Sequence, residues 1–216
     1  MSNKDLLRSS AISLNELKGI IEALVFASPD PLTPMMLYKL LGNDERERER
    51  VLEALDGLRS DYKDRPGLQW IEVAGGYQIV TRTELHEWVR RLFHERSTQK
   101  LTIQALETLA VIAYRQPITA LEITEVRGVN VAAVLSRLLE RQLVKIVGRK
   151  NIVGKPFLYA TTKEFLIRFG LNDLSDLPKI EDMIESLGLE SPDESTELTS
   201  KENMLLLEED SESTST

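Results

Sequence analysis

The sequence contains an internal repeat, and this repeat is the feature that most constrains the fold. Residues 21–33, which run from Ile-Glu-Ala-Leu to Pro-Leu-Thr, correspond to residues 106–119, which run from Leu-Glu-Thr-Leu to Pro-Ile-Thr. In both copies a glycine, Gly42 or Gly128, follows the proline after 11 residues. A repeated order of this kind predicts two copies of one small structural unit.

Each copy has the same predicted order of elements, three helices followed by a β-hairpin. In the first copy, Ser13 and Glu16 have the spacing of a capping box, and apolar residues at helical spacing follow them. Thr33 and Pro34 have the residue types that begin a helix, here a short one. A third helix is predicted to follow the charged run 44–50.

The first hairpin is predicted from two strand patterns, 68–74 and 77–81. Gly75-Gly76 between them has the composition of a two-residue hairpin turn. A fourth helix is expected next, with Thr83 as its cap. Its apolar face is predicted to consist of Leu85, Trp88, Val89 and Leu92.

The second copy repeats this order. Thr102 is predicted to cap a helix that Gln116-Pro117 ends, and Thr119 with Glu122 has the spacing of another capping box. The remaining elements are a third helix capped by Asn130, strands over 144–147 and 157–160 around the loop 148–156, and a closing helix capped by Thr161 with Phe165 and Phe169 directed inward.

Three helices followed by a β-hairpin make up a winged-helix unit. The predicted fold class is therefore mainly α with small β-hairpin wings (α+β), arranged as two tandem winged-helix domains plus a disordered acidic C-terminal tail. The predicted segments are a flexible N-terminus (1–12), a first winged-helix domain (13–96), a second winged-helix domain (100–171), a short helical extension (172–188) and the tail (189–216).

The charge of the chain is unevenly distributed. Residues 172–216 contain 14 acidic and two basic residues, a net charge of −12, whereas residues 1–171 carry a net charge of +4. From Leu189 onward the residues are mostly Ser, Thr, Glu and Asp, which bury too little apolar surface to offset chain entropy. The short apolar run 204–207 is predicted to be unstructured with the rest of the tail.

The residue types that most enzymes and metal sites need are scarce. The chain has no cysteine, which excludes a thiolate metal site and a cysteine nucleophile. His86 and His94 lie eight positions apart on a predicted helix, and a separation of about 12 Å is too large for a shared metal. The sequence has no glycine-rich phosphate loop and no nucleophile elbow. We therefore expect no enzyme activity, no catalytic residue, no metal and no cofactor.

No apolar run approaches the length of about 20 residues that crosses a bilayer. The first 13 residues are polar and lack the apolar stretch of a signal peptide. The sequence predicts a soluble cytoplasmic protein without a membrane partner.

The basic region 127–155 is the strongest indication of nucleic-acid binding. It holds one acid, Glu140, and seven cations, which are Arg127, Arg137, Arg141, Lys145, Arg149, Lys150 and Lys155. The third helix begins with Asn-Val-Ala-Ala-Val (130–134), which offers little to read base edges, and the acidic tail opposes phosphate binding. A DNA-binding protein or transcription regulator is kept as an alternative, with weak DNA contact at Arg127, Arg137, Arg141, Lys145 and Lys150.

Winged helices can also serve as protein-binding surfaces. Tyr114 lies at a helix end beside Arg115, and Tyr159 lies on a wing strand, so these side chains are predicted to be partly exposed. Tyr and Arg are the residue types favoured at the centres of protein interfaces.

Several segments of the second copy carry a family resemblance. They are Leu-Glu-Thr-Leu-Ala-Val-Ile-Ala-Tyr-Arg-Gln-Pro-Ile-Thr (106–119), Val-Arg-Gly-Val (126–129), Leu-Glu-Arg (139–141), Gly-Lys-Pro-Phe-Leu-Tyr-Ala-Thr-Thr-Lys-Glu-Phe-Leu (154–166) and Phe-Gly-Leu (169–171). These segments closely resemble the bacterial segregation and condensation protein B family. The first copy resembles the same family more loosely, through 21–26, 31–33 and 75–77.

The resemblance implies a non-enzymatic accessory subunit that acts in chromosome condensation and partition during the cell cycle and cell division. It implies a homodimer formed largely through the first domain. It further implies that the second domain binds a kleisin, segregation and condensation protein A, which bridges the heads of a structural-maintenance-of-chromosomes ATPase. The ATP chemistry would belong to that partner, and association with the nucleoid would come through the complex.

On this basis we expect an extended kleisin segment to lie along the second domain. The residues expected to contact it are Tyr114, Arg115, Arg149, Lys155 and Tyr159. The chain departs from the family pattern at Lys155, where the family usually has Arg, at Ala160, where it usually has Gly, and at Ala120, where a basic residue is common. Lys keeps the positive charge but lacks the planar fork of Arg.

Overall fold

The structure, a computed structural model, describes residues 12–93, 100–179 and 182. The elements of the first copy are α1 (Leu14–Ala27), α2 (Pro34–Leu41), α3 (Glu45–Tyr62), β1 (Leu68–Val73), β2 (Gly76–Thr81), a 3-10 turn (Thr83–Leu85) and α4 (His86–Leu92). Those of the second are α5 (Ile103–Arg115), β3 (Ile118–Thr119), α6 (Ala120–Arg127), α7 (Ala132–Glu140), β4 (Val144–Arg149), β5 (Phe157–Thr161) and α8 (Lys163–Phe169).

Capping side chains begin four of the eight described α-helices where the sequence predicts, namely α1, α2, α5 and α6. Both capping boxes form, Ser13 with Glu16 at α1 and Thr119 with Glu122 at α6. Asp44 accepts a hydrogen bond from the backbone N–H of Glu47, so α3 begins inside the charged run instead of after it. The charged run therefore forms the first turns of a helix, where acidic side chains complement the helix dipole.

The first domain packs α1, α2 and α3 around one apolar core. Its buried members are Leu17, Ile21, Val25, Leu32, Leu37, Val51, Ala54, Leu55, Leu58 and Tyr62. The hairpin covers this core with Trp70, whose ring centroid lies 5.9 Å from that of Tyr62 and 5.5 Å from that of Tyr77. The residues at helical spacing in the sequence are thus the ones that the fold buries.

The prediction that Gly75-Gly76 forms the first hairpin turn is wrong by one residue. Val73 pairs with Gly76, so the two turn residues are Ala74 and Gly75, both with positive φ (53° and 72°). Two positive φ values are those of a type I′ turn. Gly76 instead lies in β2 and is buried. A Cβ at this position would come within 2.8 Å of the Leu32 carbonyl carbon, so β2 packs directly against the Leu32 backbone.

The second domain has a three-stranded sheet in the order β3-β5-β4. The sequence did not predict β3, which pairs Ile118 with Tyr159 in the central strand. The first domain has the equivalent contact, a β-bridge between Leu32 and Tyr77. The buried apolar side chains of the second domain include Leu109, Ile112, Ile123, Val131, Leu135, Leu138, Leu143 and Phe165.

Four predictions at the ends of the domains are wrong: the caps Thr83 and Thr161, the apolar face of α4 and the inward direction of Phe169. Thr83 does not cap α4, because a 3-10 turn precedes that helix, and Trp88 and Leu92 on its predicted apolar face are 67% and 79% exposed. Thr162 caps α8 in place of Thr161, which is buried in β5. Phe165 is buried as predicted, whereas Phe169 remains 45% exposed and stacks on Phe165 with ring centroids 4.8 Å apart.

The predicted cap of α7 is also shifted. Asn130 Oδ1 accepts a hydrogen bond from the backbone N–H of Ala132 at 2.9 Å, but Val131 occupies the capping position. Val131 is 2% exposed, so it contributes to the core rather than to the helix face. The helix therefore begins one residue later than an Asn130 cap predicts.

The described elements form two tandem winged-helix domains, mainly α with small β wings, as the sequence predicts. Both belong to one compact unit that ends at Leu174, and Ser175 begins a second unit. Of the predicted extension, 172–179 and 182 are described, with a 3-10 turn at Leu174–Asp176. The predicted flexible start up to residue 11, the joint 94–99 and the predicted tail lie outside the described residues. The boundaries 13–96 and 100–171 stay predictions.

A candidate protein-binding surface on the second domain

The wing of the second domain brings two of the predicted contact residues together. Arg149 ends β4 and Phe157 begins β5, and the two are paired in the sheet. The Arg149 guanidinium lies 4.0 Å from the centroid of the Phe157 ring, which is a cation–π contact. Its Nη1 also donates a hydrogen bond to the backbone oxygen of Lys155 at 3.0 Å. Arg149 is therefore bonded to the backbone of Lys155 at the base of the wing loop.

Lys155 is exposed and has a positive φ of 42°, directly after Gly154 with a φ of 85°. The loop is closed by two backbone bonds of 2.9 Å, from the N–H of Lys155 to the oxygen of Ile152 and from the N–H of Lys150 to the oxygen of Pro156. A lysine in this conformation is uncommon. The closed loop, together with Arg149, holds the Lys155 backbone there and leaves its side chain exposed.

Tyr159 lies in the centre of the three-stranded sheet. Its register partners are Ile118 of β3 and Ile146 of β4. Successive strand residues point to opposite faces, so Tyr159 and Phe157 share one face of β5. Tyr159 is half-buried, in agreement with its predicted partial exposure.

Tyr114 and Arg115 belong to a different element, the last turn of α5. Tyr114 is 37% exposed and Arg115 is exposed. Gln116 connects this helix end to the sheet, since its Oε1 accepts hydrogen bonds from the backbone N–H of Thr161 at 2.8 Å and from the Thr161 hydroxyl at 3.0 Å. Sequence reasoning missed this positioning role, because a glutamine before a proline indicates only a helix end.

Two of the cations in the basic region are held by acids from outside it. Arg127 forms an ion pair with Glu107, and its side chain is only 18% exposed. Lys150 forms an ion pair with Glu122, with Nζ and Oε1 2.5 Å apart. These two acids lower the local positive charge that the sequence indicates between Arg127 and Lys155.

Glu122 accepts hydrogen bonds on both carboxylate oxygens. Oε1 faces Lys150, and Oε2 accepts from the Thr119 backbone N–H at 2.9 Å and from the Thr119 hydroxyl at 2.6 Å. These bonds, the one from Lys150 first, lower the pKa of Glu122 to about 2. A hydrogen bond to the ionised form favours that form. The carboxylate thus links the start of α6 to the wing.

The other predicted DNA contacts are spread over separate parts of the domain. Arg137 and Arg141 line a cavity of about 360 Å³ between the start of α5 and the end of α7, and Glu140 lines the same cavity. Lys145 is exposed on β4. The exposed residues at the start of α7 are Asn130, Ala132 and Ala133, and the two alanines carry no group that can hydrogen-bond to a base edge.

The described residues contain no group of three or more His, Asp or Glu side chains that could hold a metal ion. His86 Nε2 lies 3.1 Å from the Glu87 carboxylate at the surface, and His94 lies outside the described residues. Within the described part of the chain, no helix is both long and apolar enough to cross a membrane.

The fold defines a tandem winged-helix protein, because it contains two winged-helix domains. The second wing carries an exposed cluster of aromatic and cationic side chains. Residues 19–180 match the family model described as segregation and condensation complex subunit ScpB. The chain belongs to this family, whose members are subunits of the segregation and condensation complex.

Curated relatives agree with the family match. Segregation and condensation protein B of Symbiobacterium thermophilum is 49% identical over 168 residues, covering 77% of this chain and 75% of the relative. The protein of the same name from Syntrophotalea carbinolica is 46% identical over 171 residues, covering 79% of this chain and 85% of the relative. The crystal structure of ScpB from Mycobacterium tuberculosis is 36% identical and covers 74% of this chain and 98% of that one, with a TM-score of 0.35.

Proposed function

We propose that this chain is a non-catalytic subunit of a bacterial condensin-like complex, which binds the kleisin as a homodimer and supports chromosome condensation and segregation. The observation that carries the proposal is the family match, which spans both winged-helix domains from residue 19 to residue 180. The subunit acts in the cytoplasm and reaches the nucleoid through the complex. The ATPase chemistry belongs to the partner that the kleisin bridges.

The side chains of the second wing support a protein partner. Arg149 is pre-positioned by its contact with Phe157 and by its hydrogen bond to the Lys155 backbone, so less side-chain entropy is lost when it binds. Arg and Tyr are also the residue types that dominate binding energy at interfaces. We place the kleisin contact at Arg149, Lys155 and Tyr159, with Tyr114 and Arg115 at the end of α5.

The first domain carries the features of a dimer surface. Several large apolar side chains are exposed on it, namely Phe26, Met35, Met36, Leu40, Leu52, Trp88, Leu92 and Phe93. Side chains of this kind would be covered at a dimer contact, and the resemblance to the family implies that the contact lies on this domain. We assign the homodimer contact to this domain.

The ion pairs argue against DNA as the principal partner. Arg127 and Lys150 already have carboxylate partners, and moving either onto a phosphate would break an existing pair. The start of α7 also carries exposed alanines at positions where a DNA recognition helix needs side chains that hydrogen-bond to base edges. Any DNA contact by this domain is therefore weak and falls on backbone phosphates.

A salt titration separates the two functions. Affinity for duplex DNA that rests on phosphate contacts falls steeply between about 50 and about 200 mM salt. Kleisin binding that buries apolar and aromatic groups weakens much less over the same range. We expect the full chain to bind purified kleisin at both salt concentrations and to lose duplex DNA at the higher one. DNA binding that survives high salt, with no kleisin binding, contradicts the proposal.

A further inference from the structure

The strand β4 forms one edge of the sheet in the second domain, because β5 is its only partner among the described strands. The backbone N–H of Thr162 donates to the oxygen of Leu143, so these two residues form a hydrogen-bonded pair. Such pairs alternate along an antiparallel ladder. Lys145 therefore bonds towards β5, whereas Ile146 directs its N–H and C=O groups to the open side. Val144 has the same orientation, but it is only 2% exposed, so its backbone groups are not accessible.

The register shifts between Ile146 and Gly148, which marks a β-bulge. Beyond it, the N–H of Lys150 donates to the oxygen of Pro156. By the same alternation, Arg149 again directs its backbone polar groups to the open side. The open edge thus offers backbone groups at Ile146 and at Arg149, on either side of the bulge.

The side chains along this edge combine positive charge with apolar surface. Residues 145–149 are all exposed, whereas Val144 is buried. Ile146 and Val147 lie between the cations Lys145 and Arg149. Arg149 also holds the Lys155 backbone, which brings a third cation to the same end. Lys150 is excluded from this set because Glu122 holds it.

We propose that the open edge of β4 binds an extended, acidic segment of the kleisin, which adds to the sheet as a further strand. The inference rests on the proposed function and specifies how the partner binds. Backbone hydrogen bonds at Ile146 and Arg149 supply the register, since an added strand satisfies the open polar groups of an edge. Acidic side chains of that segment lie opposite Lys145 and Arg149, which supplies charge complementarity.

The same features exclude a second copy of the chain as the occupant. Two β4 edges placed side by side would bring the cations of one copy next to those of the other, and like charges across a ladder are destabilising. Natural proteins use charged side chains on edge strands to prevent such pairing. Only a partner segment of opposite charge gains from this arrangement.

Amide exchange tests the inference on the full-length protein, followed residue by residue by NMR with and without purified kleisin. We expect the kleisin to slow exchange at Ile146 and Arg149, and to leave Lys145, which already bonds to β5, unchanged. A chain that binds kleisin with no added protection at Ile146 and Arg149 overturns this inference alone. A chain that binds no kleisin contradicts the proposed function and the inference with it.

A matched pair of variants gives a second test. Ile146→Pro removes the open N–H, and proline is tolerated on an edge strand when its nitrogen faces outward. Ile146→Ala keeps the N–H and removes the same apolar side chain. We expect Ile146→Pro to weaken kleisin binding about tenfold or more relative to Ile146→Ala, as the loss of a backbone bond at an interface requires. Equal affinities in two folded variants overturn the inference, and if Ile146→Pro does not fold, the exchange measurement on the wild type decides.

Discussion

The side-chain oxygen Oδ1 of Asn172 accepts a hydrogen bond from the backbone N–H of Gly75, 2.9 Å away, across 97 residues of sequence. Beside it, the N–H of Ala74 donates to the oxygen of Leu171, also at 2.9 Å. Gly170 ends α8 in the left-handed conformation and directs the chain towards this contact. The turn of the first wing is thus bonded to the segment that leaves the second domain.

Replacing Asn172 tests this contact. Asn172→Ala leaves the N–H of Gly75 without its side-chain acceptor, which costs about 1 kcal/mol of unfolding free energy. We expect faster amide exchange at Gly75 and a small loss of stability in chemical denaturation. Asn172→Asp is the matched control, because its carboxylate can still accept this bond. If the Gly75 amide of the Asn172→Ala variant exchanges at the wild-type rate, the contact does not hold the turn in solution.

Gly76 is predicted to be intolerant of any side chain. A Cβ at this position would lie 2.8 Å from the Leu32 carbonyl carbon and 2.9 Å from its oxygen, and a backbone cannot move aside cheaply. Gly76→Ala is expected to lower the unfolding free energy by about 1–3 kcal/mol. Gly67→Ala is the control, since a Cβ there has no atom within 4 Å. Equal stabilities of the two variants, measured in urea, would show that β2 does not pack on Leu32 this closely.

The Glu122 carboxylate makes stability depend on pH in the acid range. Its pKa is about 2 in the folded chain against an ordinary value of 4.5, so folding favours the ionised form. The resulting stabilisation is present above pH 4.5 and is lost as the pH falls towards about 2. We expect the stability difference between wild type and Glu122→Gln to shrink over this window in denaturant titrations.

Glu125→Gln is the control for that measurement, because Glu125 lies exposed on the same helix. The control variant should follow the pH dependence of the wild type throughout. The assigned interaction with Lys150 would be contradicted if the difference in unfolding free energy between wild type and Glu122→Gln were the same at pH 5 and at pH 3.

The proposed contact surface is tested by Tyr159→Ala and Lys155→Glu. The first removes an aromatic side chain from the central strand, and the second reverses a charge beside Arg149. Each is expected to weaken kleisin binding by a factor of about ten or more, as for residues that carry interface energy. Lys163→Glu, a charge reversal at an exposed site on α8, is the control. Unchanged affinity in Tyr159→Ala and Lys155→Glu would show that the surface lies elsewhere.

Much of the helical structure could be predicted because its signals are local. The capping boxes at Ser13 and Thr119 and the apolar spacing of α1 and α3 each depend on residues within a few positions of one another. The family resemblance rested on similarly local motifs in the second copy, and the family match agrees with it.

The misplaced elements depend on contacts between distant residues. The turn lies at Ala74-Gly75 because Gly76 must approach Leu32, which the hairpin sequence does not reveal. The strand β3 is two residues long and exists only through its pairing with β5.

The charges of the candidate site show the same limit. The sequence indicates a strongly basic segment, but Glu107 and Glu122, which neutralise two of its cations, lie outside it. The role of Gln116 also depends on a partner 45 residues away, Thr161. Local composition could therefore indicate a basic segment but could not predict which of its cations have partners.

The central claim is that this chain is a dimeric subunit that binds the kleisin. Size-exclusion chromatography coupled to light scattering, at moderate salt, tests this claim. The full chain is measured alone and after mixing with the kleisin of the same cell. The account predicts twice the 24.5 kDa mass of one chain for the protein alone, and a heavier stable complex in the mixture. A monomer that elutes unchanged with and without the kleisin would contradict it.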